Sequence, residues 1–384
     1  MLEWRRAKDH PRDRTTMTAT LAATSPGRLT VDLDAVTKNY RQLVQSAAPG
    51  ECGAVVKANA YGLGVGPVAR TLHAAGCRHY FVANLAEGEQ LRELLADATI
   101  YVFAGPEPGE EQALREAVLV PVLNSLAQVQ RWVEQGGTED YPVAIHIDTG
   151  ISRLGLSASE TEALSRDSDL LDGLRIAYVM THLACADEPE LTLNEEQLLQ
   201  FDALRARLPD AATSIGNSAG VLSGARFSGD LARAGVALYG GNPFIDRPNP
   251  MATVVHLHSP ILQVRQIDTP ITVGYGATHR VEPPARLATV GAGYADGYPR
   301  ALGNTGRAYI GGVEVPVVGR VSMDLFTIDV SDVSTDIAVP GAMVELIGDH
   351  IALDDLASAA GTISYELLTG LGSRWMRCYD SSDS

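Results

Sequence analysis

The chain has little cysteine, no long apolar run and no excess of positive charge. Its four cysteines are scattered without a CxxC pair, which favours reduced thiols over a disulfide framework. No run of 18 apolar residues is present, so we predict no membrane-spanning helix. The net charge of −17 argues against nucleic acid or an anionic membrane surface as the main partner.

The first twenty residues, MLEWRRAKDHPRDRTTMTAT, are charged and contain no apolar stretch. They therefore do not form a secretory signal. We predict that residues 1–27 are a disordered extension. Together with the expected reduced thiols, this indicates a cytoplasmic protein.

Short apolar runs alternate with amphipathic patterns over residues 28–250, and eight of them are candidate strands. This order predicts an α/β protein built on a parallel (β/α)8 TIM-type barrel. An open doubly wound sheet is the alternative, but no GxGxxG turn follows the first strand. The candidate strands are AVVKA, HYFVAN (79–84), TIYVFAG (99–105), VLVPVLN (118–124), VAIHID (143–148), RIAYVM (175–180), TSIGN (213–217) and AGVALYG (234–240).

The pattern changes after residue 250. Apolar residues there alternate over short periods and are interrupted by glycine and proline. This predicts a mostly β C-terminal domain over residues 251–384. Within it, YIGGVEVP predicts a hairpin that turns at Gly311–Gly312.

The stretch AVVKANAYGLG places one lysine, Lys57, at the end of an apolar run. In a barrel, a polar residue at the C-terminal end of a strand points into the active-site mouth. One interpretation is a lysine at a strand end whose amine extends to solvent and has no chemical role. The other is an amine nucleophile, whose pKa falls on desolvation and which can attack a carbonyl carbon.

Other polar side chains also follow candidate strands. A lone histidine is more often structural than functional, but burying several such groups without partners is costly. Small residues after one strand leave backbone N–H groups available to a phosphate. The residues are Asp148 and Arg153 in IDTGISRLG, His182 in YVMTHLACAD, and Asn217 and Ser218 in SIGNSAG, while Arg233 in RAGVALYG lies just before a candidate strand.

Taken in order, these segments resemble the alanine racemases, a family of pyridoxal 5′-phosphate enzymes with a barrel and a β domain. The resemblance covers roughly residues 28–380. It is most specific in the motifs AVVKANAYGLG, VGYGATHR and GYADGYPR. The motifs are AVVKANAYGLG, DTGISRLG, THLACAD, NSAG, RAGVALYG, VGYGATHR, GYADGYPR, VGRVSMD and SYELLTGLGSR.

The resemblance implies a role for each matching residue and no metal site. Lys57 would hold the cofactor covalently and act as one catalytic base, and Tyr275 would be the second. Two bases are the minimum, because the α-proton leaves one face and another returns on the opposite face. Arg233 would contact the pyridine nitrogen, and His182 would support Tyr275. Arg153 would bind the cofactor's phenolic oxygen and the substrate carboxylate, and Met323 and Asp324 would contact the substrate. The phosphate would be bound by Tyr61, Ser218, Gly235, Val236 and Tyr365, with Asn217 beside Ser218.

In this family the residues corresponding to Tyr275, Met323 and Asp324 come from the other subunit. The resemblance therefore implies a homodimer with shared active sites. Its substrate would be alanine, and its product D-alanine would supply peptidoglycan. The alternatives are a racemase acting on serine or larger amino acids, a non-catalytic pyridoxal phosphate protein, and a decarboxylase of similar architecture. The β domain, Tyr275 and GYADGYPR argue against a simple binding protein.

Two positions depart from the common family pattern. His146 stands where many members have a lysine that is carbamylated and orients the arginine corresponding to Arg153. Histidine forms no stable carbamate, so we expect that another polar group or a bound anion positions Arg153, or that Arg153 is held less firmly. Ser322 replaces the cysteine of the common VCMD motif, and we expect little effect because the two side chains are nearly isosteric.

Overall fold

The computed structural model describes residues 27–136 and 141–382, so nearly all of the proposed N-terminal extension lies outside the described residues. Its first architectural unit is a sheet of eight parallel strands, which we call the barrel sheet. The expected barrel is therefore confirmed. In spatial order its strands are Ala212–Ser214, Arg175–Met180, Pro142–His146, Val120–Leu123, Thr99–Val102, His79–Val82, Glu51–Val55 and Leu231–Ala234.

The first and last strands of this order close the barrel through side-chain and main-chain contacts. The Ser214 hydroxyl donates to the Leu231 carbonyl oxygen over 2.5 Å. The backbone N–H of Arg233 donates to the Gly216 carbonyl oxygen over 2.8 Å. All strands are parallel, so their C-terminal ends meet at one mouth.

The eighth strand differs from its prediction. AGVALYG was expected to be a strand over 234–240, but the strand is Leu231–Ala234 and Val236–Tyr239 forms a 3-10 turn. A short apolar run does not distinguish a buried strand from a buried helical segment. The consequence is that Arg233 lies within the last strand and not before it.

Helices pack around the barrel sheet, and several of them begin at a residue whose side chain accepts from one of their first N–H groups. Ser157 and Glu160, for example, form a reciprocal capping box. Asp32, Asn84 and Ser125 accept similar bonds at other helix starts. The helices of this unit are Leu33–Ala47, Val65–Ala74, Leu85–Leu94, Glu111–Glu116, Leu126–Glu134, Ala158–Arg166, Ser168–Asp172, Thr192–Arg205 and Ser218–Leu222.

The second unit is an eight-stranded, mostly antiparallel sheet, which we call the second sheet. It carries a two-stranded ribbon, Ile271–Val273 with His279–Val281, and two helices, Leu353–Ala359 and Ser364–Gly370. The predicted hairpin forms, with Ile310 opposite Val313 and two left-handed glycines between them. In spatial order the strands are Ala285–Val290, Phe326–Asp329, Val313–Val318, Arg307–Ile310, Met343–Ile347, Val255–Ile267, Arg28–Asp32 and Met376–Asp380.

One boundary of the sequence-based division needs correction. Residues from 28 onward were assigned to the barrel, but the strand Arg28–Asp32 pairs with Val255–Ile267 and with Met376–Asp380 in the second sheet. Leu29 and Val31 are fully buried there. A strand followed directly by a helix has the pattern of a barrel repeat, and its sequence alone does not specify the sheet that it joins.

Candidate active site

The sequence-selected polar residues of the barrel gather at its mouth. Lys57 follows the strand Glu51–Val55 by two residues, and His182 follows Arg175–Met180 by two. Asn217 and Ser218 follow Ala212–Ser214. The structure therefore brings these side chains to one end of the barrel, as the strand-end rule predicts.

The segment that carries Lys57 has an unusual backbone. Ala58, Asn59, Ala60 and Tyr61 all have φ between 53° and 55°, in the left-handed helical region. For residues other than glycine this conformation costs roughly 1–2 kcal/mol each. We call Ala58–Tyr61 the left-handed turn. Such strain persists only where surrounding contacts stabilise it, and it is concentrated at functional sites.

The amine of Lys57 lies in a cationic, partly desolvated environment. Burial lowers its pKa and Arg153 lowers it further, while the carboxylate of Glu87 acts in the opposite direction. The Lys57 Nζ lies 5.7 Å from the centre of the Phe103 ring. A lowered pKa increases the neutral fraction of the amine, which is the form that attacks a carbonyl carbon.

Arg233 is the most enclosed cation of the mouth, with 3% of its surface exposed. Its Nη1 donates to Ser214 Oγ over 2.8 Å, and its Nη2 donates to the carbonyl oxygens of Thr181 and Ile215 over 2.7 and 3.0 Å. Burial lowers its pKa to about 9, so it remains charged at neutral pH. Among the described residues, Nε–H has no hydrogen-bond acceptor and is available to a ligand.

His182 is fixed by the same guanidinium. Its Nδ1 lies 3.2 Å from Arg233 Nη2, and a guanidinium can only donate, so Nδ1 accepts. Burial, followed by the charges of Arg233 and Arg153, lowers the pKa of His182 well below its usual value. The neutral ring therefore carries its proton on Nε2 and presents a donor on the side away from Arg233.

A compact group of residues around Ser218 fits a phosphate. The Ser218 hydroxyl oxygen accepts from the N–H groups of Gly235 and Ala237 over 2.9 and 3.3 Å. A Cβ on Gly235 would lie 2.5 Å from the Tyr61 hydroxyl, so only glycine leaves this space open. Val236 begins the 3-10 turn after Gly235, and a backbone turn of this kind directs N–H groups toward an anion.

Two further contacts support this group. Asn217 accepts from the Gly220 N–H and so caps the short helix that begins at Ser218. The Tyr61 ring lies 6.0 Å from that of Tyr365. Burial raises the pKa of Tyr365 to about 12, so its hydroxyl is a neutral donor at physiological pH. A lysine amine, a phosphate cradle and a free guanidinium N–H together fit pyridoxal phosphate.

The expected anion or polar partner of Arg153 is not present among the described residues. Arg153 is exposed and makes no hydrogen bond or ion pair with them. Asp148 accepts from the N–H groups of Gly150, Ile151 and Ser152, so its carboxylate shapes the loop and does not contact the guanidinium. No described side chain takes the place of the carbamate in this single chain, so positioning by a bound anion, or looser positioning of Arg153, stays a prediction.

His146 is neutral in this site. Its Nδ1 donates to Asn124 Oδ1 over 2.8 Å, because Asn124 Nδ2 already donates to the carbonyl oxygens of Phe103 and Val122. Burial, then Arg233, lower its pKa to about 4. The position thus holds an uncharged ring in place of an anion.

This environment gives a pH-dependent stability. The pKa of His146 is about 4 in the folded chain and about 6.5 when unfolded, so the unfolded chain binds more protons between these values. Stability contributed by His146 is therefore lost as pH falls through this window. Between pH 7 and 4.5, we expect the free energy of unfolding of His146→Gln to fall by about 2 kcal/mol less than that of the unmodified protein. Urea unfolding at both pH values measures this difference, and parallel pH dependence would contradict it.

Tyr275 lies in the 3-10 turn between the two strands of the ribbon, and Met323 and Asp324 lie in a loop of the second unit. The Tyr275 side chain is 72% exposed and Met323 is 54% exposed. Within the described residues, no hydrogen bond or ring contact joins Tyr275 to the barrel mouth. Asp324 forms an ion pair of 2.7 Å with Arg374, whose Nε lies 3.0 Å from the buried carboxylate of Asp296.

Sequence reasoning missed several residues that shape the mouth. Glu87 accepts from the residue after Lys57, Asn124 contacts His146, and Arg377 donates to the Gly62 carbonyl oxygen. None of them lies within a motif that carries the resemblance. The Arg377 contact spans 315 positions of the sequence, so no local pattern reports it.

The fold and the mouth define a class: pyridoxal phosphate enzymes with a barrel and a β domain. Residues 31–243 match the profile of the alanine racemase N-terminal domain, and residues 254–379 match that of the C-terminal domain. The chain belongs to the alanine racemase family. It is therefore an amino-acid racemase, an isomerase, and the cofactor expectation is confirmed.

Individual relatives support this assignment. The chain is 50% identical over 356 residues to alanine racemase of Rhodospirillum rubrum, covering 91% of this chain and 95% of that one. It is 46% identical to the catabolic alanine racemase of Rhizobium johnstonii, covering 95% and 97%. The crystal structure of alanine racemase from Bartonella henselae, which has covalently bound pyridoxal phosphate, superposes with a TM-score of 0.89 at 38% identity, covering 93% and 100%.

Proposed function

We propose that the chain interconverts L- and D-alanine with two bases, Lys57 and Tyr275, that act on opposite faces of the α-carbon. The main support is the combination of a lysine amine of lowered pKa at the barrel mouth with a neutral histidine donor beside Arg233. Pyridoxal phosphate, when bound, withdraws electrons from the α-carbon and so acidifies its proton. Lys57 accepts the α-proton of D-alanine, and Tyr275 accepts that of L-alanine.

His182 and Arg233 support the tyrosine. An ordinary tyrosine has a pKa of about 10, so its phenolate needs stabilisation near neutral pH. The Nε2–H of His182 can donate to a phenolate oxygen, and the positive charge of Arg233 lies directly behind the ring. Both effects favour the anion. We therefore propose that His182 stabilises the phenolate of Tyr275 and does not itself exchange a proton with the substrate.

Arg233 has a second role toward the cofactor. A guanidinium donates only, so the free Nε–H of Arg233 would favour a pyridine nitrogen without a proton. This makes the ring a weaker electron sink than one beside a carboxylate. We infer that the arrangement limits side reactions such as transamination. Ser218, Tyr61, Tyr365 and the backbone of Gly235 and Val236 would bind the phosphate.

The substrate contacts belong to Arg153, Met323 and Asp324. The exposed guanidinium of Arg153 is free to bind the carboxylate of the amino acid. Met323 and Tyr365 restrict the space for the side chain of the substrate. Because one methylene discriminates by only about 1–3 kcal/mol, we expect weak activity on serine beside the main activity on alanine.

We also propose a homodimer in which Tyr275, Met323 and Asp324 complete the site of the partner. The exposure of Tyr275 and Met323 in the single chain supports this arrangement. Exposed aromatic and methionine side chains on a functional surface are typical of interfaces. Each site would then combine Lys57 of one chain with Tyr275 of the other.

Mixing two inactive variants tests this arrangement. Lys57→Ala chains retain Tyr275, and Tyr275→Phe chains retain Lys57. After subunit exchange, one site of each heterodimer carries neither lesion, so we expect about a quarter of the unmodified activity from a statistical mixture. The measurement is D-alanine formation before and after exchange, with heterodimers quantified by native mass spectrometry. Heterodimers without activity would show that the sites are not shared.

The cellular role that we propose is the supply of D-alanine for peptidoglycan in the cytoplasm. A catabolic role is the second candidate, because two of the similar proteins, from Rhizobium johnstonii and Agrobacterium fabrum, are catabolic alanine racemases. In the part of the chain that the structure describes, no helix is long and apolar enough to span a membrane. Deletion of the gene separates the roles: D-alanine auxotrophy supports supply, whereas failure to grow on alanine as the carbon source supports catabolism.

The activity itself has a direct test. The purified protein should show the absorbance of bound pyridoxal phosphate and should form D-alanine from L-alanine in an assay coupled to D-amino-acid oxidase. Cofactor absorbance without D-alanine formation would favour a binding protein. A rate on serine equal to that on alanine would favour a broader racemase.

A further inference from the structure

The left-handed turn after Lys57 is strained, and two charged side chains contact its ends. It begins immediately after the lysine and ends at Tyr61, and Gly62, which also has positive φ, follows it directly. Of the four successive residues with positive φ, only Asn59 readily adopts this conformation, and Ala58, Ala60 and Tyr61 have no such preference. Contacts from elsewhere in the fold must therefore select this conformation.

Glu87 contacts the beginning of the turn. Its Oε1 accepts from the Ala58 N–H over 2.8 Å, and its Oε2 accepts from the Ala83 N–H over 2.8 Å. Ala83 directly follows the neighbouring strand His79–Val82. One carboxylate thus connects the residue after Lys57 to the end of the adjacent barrel strand, with both oxygens used.

Arg377 contacts the end of the turn from the second sheet. Its Nε and Nη2 donate to the Gly62 carbonyl oxygen over 3.1 and 3.0 Å. The same guanidinium donates to the carbonyl oxygens of Leu371 and Gly372 over 2.9 and 3.0 Å. It therefore ties the turn to the segment that follows the helix Ser364–Gly370, which carries Tyr365.

The neighbouring backbone has little freedom to move. The Tyr379 hydroxyl donates to the Leu63 carbonyl oxygen over 2.9 Å. A Cβ on Gly62 would lie 2.5 Å from the Leu368 carbonyl oxygen, and one on Gly64 would lie 2.1 Å from the Tyr379 hydroxyl. The end of the turn is thus packed against the second unit, while its beginning is held within the barrel.

We propose that Glu87 and Arg377 are positioning residues that hold the two ends of the left-handed turn and so aim the Lys57 amine at its reaction partners. This inference rests on the proposed role of Lys57. Loss of either contact leaves the strained turn free to relax toward ordinary backbone conformations. The amine would then occupy its reactive position for a smaller fraction of the time.

The first test uses the full-length chain after removal of the cofactor with hydroxylamine. On addition of pyridoxal phosphate, the neutral Lys57 amine attacks the aldehyde carbon, and water leaves as the carbon–nitrogen double bond forms. Glu87→Gln and Arg377→Lys should each slow this capture, followed by absorbance, at least fivefold. Glu89→Gln, exposed on the same helix as Glu87, and Arg70→Lys, on the helix after the turn, are matched controls that should match the unmodified rate. A rate within fivefold of the unmodified protein in either test variant overturns the assignment of that residue.

A second measurement distinguishes positioning from a general loss of stability. In the holoenzyme, deuterium exchange at the α-carbon of D-alanine depends on Lys57, whereas exchange of L-alanine with retention depends on Tyr275. Both test variants should therefore slow exchange into D-alanine at least fivefold more than exchange into L-alanine. Equal slowing at both faces would show a structural effect only. If Glu87→Gln does not fold, Glu87→Asp replaces it, because aspartate keeps the negative charge on a shorter side chain. The ratio of exchange into D-alanine and L-alanine then tests the positioning role in the same way.

Reduction with borohydride and peptide mass spectrometry separate this inference from the proposed function. If the unmodified protein carries the cofactor on a residue other than Lys57, the proposed function fails. If Lys57 carries it in every variant, with unchanged capture rates and an unchanged exchange ratio, only the positioning role fails.

Discussion

Lys57→Ala is expected to abolish covalent attachment of pyridoxal phosphate and to lower kcat by at least about 10³, within the range for loss of a catalytic base. The chain has only two other lysines, Lys8 and Lys38. Lys8 lies outside the described residues, and Lys38 lies on the helix Leu33–Ala47. No other described lysine can therefore substitute for Lys57 at the barrel mouth.

The measurement is cofactor absorbance of the protein after borohydride reduction and denaturation, followed by peptide mapping. Lys38→Ala is the matched control, since it removes an exposed lysine from the same unit, and it should retain full cofactor and activity. Cofactor absorbance of Lys57→Ala at the unmodified level after this treatment would remove Lys57 from its proposed role.

Tyr275→Phe is expected to lower racemisation by roughly 10²–10⁴ while the bound cofactor and its colour remain. The substitution preserves the ring and removes only the hydroxyl that accepts the proton of L-alanine. The substitution does not alter Lys57, Arg233 or the residues around Ser218 that would bind the phosphate. Tyr309→Phe, in a strand of the same unit where the ring stacks on His350, is the matched control and should racemise normally.

A Tyr275→Phe variant that lost its cofactor would indicate that the tyrosine supports binding. Racemisation within a few-fold of the unmodified rate would indicate another base for L-alanine. The thermal midpoint of unfolding should stay close to that of the unmodified protein, because Tyr275 is exposed in the single chain.

The barrel was predictable because its strands and helices repeat with clear periodicities. Seven of its eight strands match the expected runs, the eighth shares only Ala234 with its run, and the second unit also matches its prediction. The eighth was shifted because Val236–Tyr239 is as apolar as a strand but forms a 3-10 turn. Arg28–Asp32 was assigned to the wrong unit because its pairing partners lie more than 200 residues away.

The site was predictable where residues follow strand ends or match motifs. Lys57, His182 and Ser218 were found by both routes and Arg233 by its motif, and the structure brings them to one end of the barrel. The strained turn after Lys57 was not predictable, because Ala58 and Ala60 have no local preference for positive φ. Glu87 and Arg377 were missed because their contacts depend on tertiary structure.

The most direct test of the two-base account is deuterium exchange by Tyr275→Phe in heavy water, measured separately from L- and D-alanine. Lys57 can still remove and return the proton of D-alanine, whereas L-alanine has lost its base. The account predicts rapid incorporation of deuterium into D-alanine with retention and much slower incorporation into L-alanine. The unmodified enzyme should label both, because racemisation itself exchanges the proton. Equal residual exchange from both enantiomers in Tyr275→Phe would contradict the assignment of one base to each face.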